Sequence, residues 1–318
     1  MTGRGSGCIE LRIAGGMGVR AVNRLSGSGG RATTQKRLRV LFGALTLLLA
    51  CGFLSGGCAN DTGDSSNRGA VKVSGSTTVL PLALEAATQF MELNPGANIQ
   101  VQGGGSSVGI TQLKEGVVQV ADSSRELQGD ENNAGLVDHK IAFDIIAIVV
   151  NPSVRVKNLT SAQVKGIFTG RIKNWKHVGG RDAPIVVVVR DIASGTREMF
   201  DQKALGSTSD RPVESVESAI ESSSNGVVRE IVGATKNAIG YISYGYINEL
   251  VEPVDFNGVP PDVPDAKIGR YPIARYLHMF TKGRPAGTTG GYIDFVLSDT
   301  FQNEIVSQEY IPIKQVER

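Results

Sequence analysis

At 318 residues the chain is long enough to bury a sizeable core, in one large domain or in two lobes. Its formal charge of +2 conceals an uneven split: residues 1–58 hold eight Arg or Lys against Glu10 alone, which leaves 25 basic and 30 acidic residues after Cys58. A body of that sign gives no support to nucleic-acid binding, and an anion held there needs local donors rather than a global field.

Residues 36–58, KRLRVLFGALTLLLACGFLSGGC, read as a basic start, an apolar run from Val40 to Leu54, then small residues and a cysteine, the layout of a secretory signal. The apolar run is too short for an ordinary transmembrane helix. Cys8, Cys51 and Cys58 are the only cysteines, so the body beyond Cys58 has no disulfide framework and no thiolate metal site. A cysteine closing a signal and followed by the polar tether 59–69 resembles a bacterial lipoprotein, with Cys58 as the lipid attachment site and Cys51 as a rival whose following stretch is too apolar for a tether. Residues 1–35 are rich in Gly and Arg without periodicity, a disordered leader or an over-extended start, with Met17 as an alternative initiator.

From Val71 short apolar strands alternate with helical stretches: VKVSGS, a helix from about Leu80 to Leu93, a strand Ile99–Gln102, a helix from about Val108 to Glu115. This βαβα order predicts an α/β fold with a largely parallel sheet. Ile145–Val150 is almost wholly apolar, as a strand buried on both faces requires. After the break at Asn151-Pro152 come a helix (Ser161–Phe168), a strand (Ile185–Val189) and a helix (Thr196–Ala204), which suggest a second lobe. Gly240–Tyr244 and the Pro-rich 259–264 mark a return, and a helix from about Tyr292 to Glu309 closes the chain. The lobes are expected to be discontinuous, 70–148 with 254–318 and 149–253 between them.

Four Ser/Thr/Gly clusters fall where a strand ends and a helix begins: Ser74–Thr78, Gly103–Ser107, Asp122–Arg125 and Arg190–Thr196. A helix N-terminus offers unpaired N–H groups and roughly half a unit of positive charge. Glycine admits a ligand to the backbone, and hydroxyls add uncharged donors. One such cluster is ordinarily a cap or a turn. Four at the carboxyl ends of strands, where open α/β sheets hold ligands, point to an oxyanion site. Arg190, after five apolar strand residues and four before Ser194, fits either an ion pair with a local acid such as Asp191 or the charged fork that grips a tetrahedral oxyanion, and the two roles are compatible.

The segments SGSTTVLPL, QGGGSSVGI, ADSSRE, IFTGRIKNW, RDIASGTREMF, AIGYISY and YIDFVLSDTFQNEIVSQEYIPI, in that order from Val71 to Ile313, resemble the PstS family of periplasmic-type phosphate-binding proteins, the receptors of bacterial phosphate ABC transporters. The resemblance implies two α/β lobes, each a mostly parallel sheet flanked by helices, joined by hinge strands and closing over one dehydrated phosphate. By position it implies ligands at Ser76, Thr77 and Thr78, at Ser106 and Ser107, at Ser124 and Arg125, and at Arg190, Ser194, Gly195 and Thr196. It also implies a monomer lipid-anchored in the cell envelope, partnered by membrane permease and ATPase subunits, without cofactor or catalysis. Well-known members carry an acid where Ser124 stands, so any acceptor for a phosphate proton must be Asp122, Asp144 or another group.

Sulfate, molybdate or another tetrahedral oxyanion is the alternative ligand. Gly105-Ser-Ser-Val-Gly109 fits the G-x-S-x-G pattern of a hydrolase elbow, but His139, His177 and His278 lie in no motif and a triad needs a placed His and acid. No P-loop and no H-E-x-x-H occurs. Trp175 and the Tyr241/Tyr244/Tyr246 group read as packing and hinge residues.

Overall fold

Val71–Gly75 (β1) buries every residue but Lys72 and opens a computed structural model that describes residues 69–316. The export segment, Cys51, Cys58 and all but the last residue of the tether lie outside the described residues. Helix α1 (Leu80–Leu93) starts with Pro81 in its first turn, where a missing N–H costs nothing, and buries Leu82, Ala83, Ala86, Ala87 and Phe90 on one stripe. Strand β2 (Ile99–Gly103) leads into α2 (Ser106–Glu115), which begins two residues earlier than the sequence suggests and ends at Gly116 with φ of 77°. Strand β3 (Val120–Ser123) is wholly buried.

Strand β4 is the largest departure from the sequence reading, running over Leu136–Val150 rather than Ile145–Val150. Its first residues, Leu136–Lys140, are exposed or only partly buried and so carry no apolar run, and only from Ile141 is it buried continuously. A two-residue strand β5 (Asn158–Leu159), helix α3 (Ser161–Phe168), β6 (Val186–Arg190), α4 (Gly195–Lys203), β7 (Ile220–Ser222), α5 (Asn225–Ala234), β8 (Ala238–Ser243) and β9 (Glu252–Phe256) follow. After the short α6 (Val263–Lys267) come β10 (Ala274–Lys282) and α7 (Gly287–Val296). The expected single C-terminal helix is broken after Val296. Ser298 starts a new turn by accepting Phe301 N at 3.3 Å, and the buried Gln302 spends its amide on Val296 O and Ile141 O.

The sheet runs β2-β1-β3-β10-β4-β8-β6-β7. Strands β1, β2 and β3 are mutually parallel, as are β7, β6 and β8. Between these parallel sets stand β10 and β4, antiparallel to their neighbours. Strand β4 changes partner along its length: Ile145 faces Ala274 of β10, and Ile146 faces Ser243 of β8. One apolar cluster gathers β1, α1 and α7 around Phe90, Tyr292 and Phe301. Another gathers α3, β6 and α4 with Val254, Phe256, Tyr271 and Ile273 around Phe168, Trp175 and Phe200. Tyr241 stacks on Phe200 at 3.9 Å and Trp175 Nε1 donates to Asn237 O at 2.9 Å, so both are packing residues, as the sequence suggests. Among the described residues no helix is long and apolar enough to cross a membrane.

Candidate anion-binding site

The carboxyl ends of β1, β2, β3 and β6 meet, and the four clusters predicted from sequence face one another. Thr78 Oγ1 lies 3.0 Å from Thr196 Oγ1, a contact between the two halves of the sheet. Ser106 Oγ lies 3.3 Å from Ser124 Oγ and accepts Ser124 N at 3.1 Å. A Cβ added to Gly195 would fall 2.5 Å from Ser106 Oγ and 2.9 Å from Ser124 Oγ, so the first turn of α4 sits directly on those two loops. Gly105, with φ of 99°, is pressed against Ala193 O, and Ser107 N donates to that same carbonyl at 3.2 Å. Ser76, Thr78, Ser106, Ser124, Arg190, Ser194 and Thr196 are all at most 2% exposed. A ligand reaches such a place only when the two halves separate.

The predicted residues divide by what their side chains already hold. Ser76 Oγ accepts Thr78 N at 3.1 Å and Ser194 Oγ accepts Arg197 N at 3.2 Å, so both fix backbone at helix starts. Thr77 Oγ1 is buried with no hydrogen-bond partner among the described residues, while its carbonyl accepts Tyr246 Oη at 2.7 Å. Arg125 stands at the rim: Nη1 and Nη2 bind Glu131 at 2.7 and 2.9 Å, Nη2 also reaches Ser107 Oγ, and Nε lies 2.8 Å from Glu198 of α4 without hydrogen-bond alignment. Burial works against its charge, and the two carboxylates outweigh that and raise its pKa. Its charge is therefore already matched across the cleft. Ser107, the serine of the G-x-S-x-G pattern, is a hydrogen-bond partner of this guanidinium rather than of an imidazole.

Arg190 differs. It is 1% exposed, so it lies in the interior and not at a cleft edge. Nε and Nη2 donate to Ser222 O and Ser223 O at 3.2 and 2.9 Å, and Nη1 is buried with no partner among the described residues. Asp191 makes no ion pair with it; its carboxylate instead accepts Ala193 N at 3.0 Å and shapes the loop. Burial lowers the pKa of Arg190; Asp191 and Tyr241 oppose this, and Arg275 adds to it. Arginine keeps its charge under such shifts, so the group is a desolvated cation awaiting a counter-charge.

Three residues that the sequence did not single out complete the site. Arg275 of β10, 3% exposed, donates from Nη2 to Thr78 Oγ1 at 3.2 Å and Thr196 Oγ1 at 3.0 Å. Asn225 Nδ2 donates to Thr78 Oγ1 at 2.9 Å. Ser243 Oγ donates to Asp144 Oδ1 at 2.6 Å, and Asp144 Oδ2 takes Arg275 at 2.9 Å. Burial raises the Asp144 pKa, with Arg275 and Ser243 pulling against it. Asp144 is therefore one residue removed from the threonine pair. Asp122 is not so linked: its carboxyl is 1% exposed and both oxygens lack partners among the described residues. Among the described residues no group of three His, Cys, Asp or Glu could hold a metal ion.

Burial pushes the Asp122 pKa well above the ordinary carboxylate range. The folded protein then keeps the proton while the unfolded chain releases it from about pH 4 upward, so stability falls as pH rises through that window. Asp122→Asn removes this loss, and its stability relative to the parent is expected to rise as pH increases above about 4 in urea unfolding. A difference independent of pH would show that the carboxyl is ionised in both states.

A buried, donor-rich cleft between two parallel α/β halves joined by antiparallel strands defines a solute-binding-protein fold. The comparisons agree: a family profile described as a PBP superfamily domain matches residues 60–300. Phosphate-binding protein PstS of Bacillus subtilis is 41% identical over 256 residues, 79% of this chain and 83% of that protein. PstS of Borreliella burgdorferi is 30% identical over 258 residues, 79% of this chain and 92% of that protein. A crystal structure from Clostridium perfringens, described as a phosphate ABC transporter substrate-binding protein with bound phosphate, superposes with a TM-score of 0.73 at 35% identity, covering 77% of this chain and all of that one. The chain belongs to the PstS family of the PBP superfamily, two-lobed binding proteins of mixed α/β fold.

Proposed function

We propose that the protein is an extracytoplasmic receptor that captures inorganic phosphate between its lobes and hands it to the permease and ATPase subunits of an ABC transporter, binding without turnover. The lobes of this reading are the discontinuous pair 70–148 with 254–318 and 149–253, a division supported by the two parallel strand sets at either end of the sheet. The observation that carries the ligand class is Arg190, a fully buried guanidinium with an uncommitted Nη1 and no carboxylate partner among the described residues, at the carboxyl end of β6 and four residues before the Ser194 cap of α4. Such a group needs an anion, and the neutral donors around it suit a dehydrated oxyanion better than a second charged side chain. The names of the relatives favour phosphate over sulfate or molybdate. Calorimetric titration is expected to show one phosphate per chain and weaker binding of sulfate; tighter binding of sulfate would overturn the ligand.

Cys58 is the proposed lipid attachment site, on the strength of the signal layout and the polar residues behind it. Palmitate labelling is expected to be lost in Cys58→Ala and kept in Cys51→Ala, and the reverse would move the anchor to Cys51.

A further inference from the structure

The hydroxyls of Thr78 and Thr196 form a pair whose protons can be counted, and the count bears on how the proposed phosphate site works. Two threonine hydroxyls own two protons and four lone pairs. Of the two hydrogens on Arg275 Nη2, one goes to Asp144 Oδ2 and the other is shared between the two hydroxyl oxygens, at 3.2 and 3.0 Å, while Asn225 Nδ2 donates to Thr78 at 2.9 Å. The Asn225 amide cannot be turned round, because its Oδ1 accepts Ser243 N at 3.2 Å. Three of the four lone pairs are thereby filled by groups that only donate. The remaining lone pair, on Thr196, can take the Thr78 proton across 3.0 Å. One hydroxyl proton is still left over, and no acceptor for it exists among the described residues. That proton, on Thr196, is the one the pair has to offer a ligand.

We propose that Arg275, together with Asn225, is a positioning residue that turns the Thr78/Thr196 pair into an obligate donor, so that this corner of the site accepts only an unprotonated oxygen of an oxyanion. Asp144 holds Arg275 in place through Nε at 3.2 Å and Nη2 at 2.9 Å, and is itself fixed by Ser243, so the orientation is set from β4, β8 and β10. A ligand offering an O–H or N–H at this corner would leave two donors facing each other in a dry site, which is costly. The assignment rests on the oxyanion reading but not on the choice of phosphate.

A double-mutant cycle on the full-length protein tests it, with phosphate affinity by calorimetry and folding by thermal unfolding. Arg275→Lys keeps a cation for Asp144 but loses the planar guanidinium that holds Asp144 through Nε and Nη2 while Nη2 reaches both hydroxyls. It is expected to weaken phosphate binding about tenfold to a hundredfold. In a Thr78→Val/Thr196→Val background, already weakened, the same change is expected to cost almost nothing, because the groups through which Arg275 acts are gone. Equal losses in both backgrounds, or no loss from Arg275→Lys in the parent, would overturn the proposal. If Arg275→Lys fails to fold, Thr196→Val and Thr196→Ser decide it: valine should weaken binding and serine restore it, and a valine variant binding as tightly as the parent overturns the assignment. If sulfate proves the tighter ligand, the phosphate reading fails, while the same cycle run with sulfate still decides the donor assignment.

Discussion

Replacing Arg190 with Met is expected to weaken phosphate binding by about 2–5 kcal/mol, the range found for truncating one partner of a buried charge pair. The size follows from its surroundings. The guanidinium is desolvated, two of its nitrogens are held by the carbonyls of Ser222 and Ser223, and Nη1 is uncommitted. The described residues offer this charge no carboxylate, so in the closed cleft the anion supplies the counter-charge, and Met has none for it to meet. Arg190→Lys keeps the charge, loses the planar fork that spans the carbonyls and the ligand, and is expected to cost less than Met. Folding should survive both changes, since Met fills much of the same volume and removes a buried charge. If Arg190→Met folds and binds phosphate as tightly as the parent, the residue is structural and the anion lies elsewhere.

Gly195→Ala should separate closing from folding. Gly195 opens α4, where alanine is a better helix former. Its Cβ would nevertheless fall 2.5 Å from Ser106 Oγ and 2.9 Å from Ser124 Oγ, with Arg125 Cγ at 3.1 Å. Those atoms belong to the opposite half of the sheet, so the clash arises only when the cleft shuts. To relieve it Ser106 must turn away and give up Ser124 N. Losing buried hydrogen bonds of this kind costs about 1–3 kcal/mol. Phosphate affinity is expected to fall by about fivefold to more than a hundredfold while the melting temperature without ligand is unchanged or slightly raised. A lower melting temperature with unaltered affinity would mean that α4 does not close on the loops in solution.

How far the sequence disclosed this site depends on how local each signal is. Helices α1 and α3 have the bounds that their apolar spacing predicts, because one stripe of each is buried and nothing else decides their length. The four loop clusters were legible because a strand end, a glycine and a capping hydroxyl are all near neighbours in sequence. Strand β10 was not. Its Arg275 and His278 lie in no motif, yet both are buried, and the acids that make this tolerable, Asp144 and Asp138, lie 131 and 140 residues away. The first half of β4 was hidden for the opposite reason, since Leu136–Lys140 is partly exposed and carries no apolar run. Arg125 shows the limit of position alone: it stands in the third loop as expected, but Glu131 and Glu198 occupy its guanidinium. No local pattern announces a carboxylate that arrives from another helix.

The central claim is that the anion is enclosed between the loops of the two halves with Arg190 as its buried counter-charge. Crystals grown with arsenate, a tetrahedral stand-in for phosphate with a strong anomalous signal at the arsenic edge, test it most directly. The expected map has one arsenic peak, within hydrogen-bonding reach of Arg190 Nη1 and bordered by Thr78, Ser106, Ser124 and Thr196. A peak at the cleft mouth near Arg125, or bound arsenate that leaves Arg190 Nη1 without a partner, would contradict it.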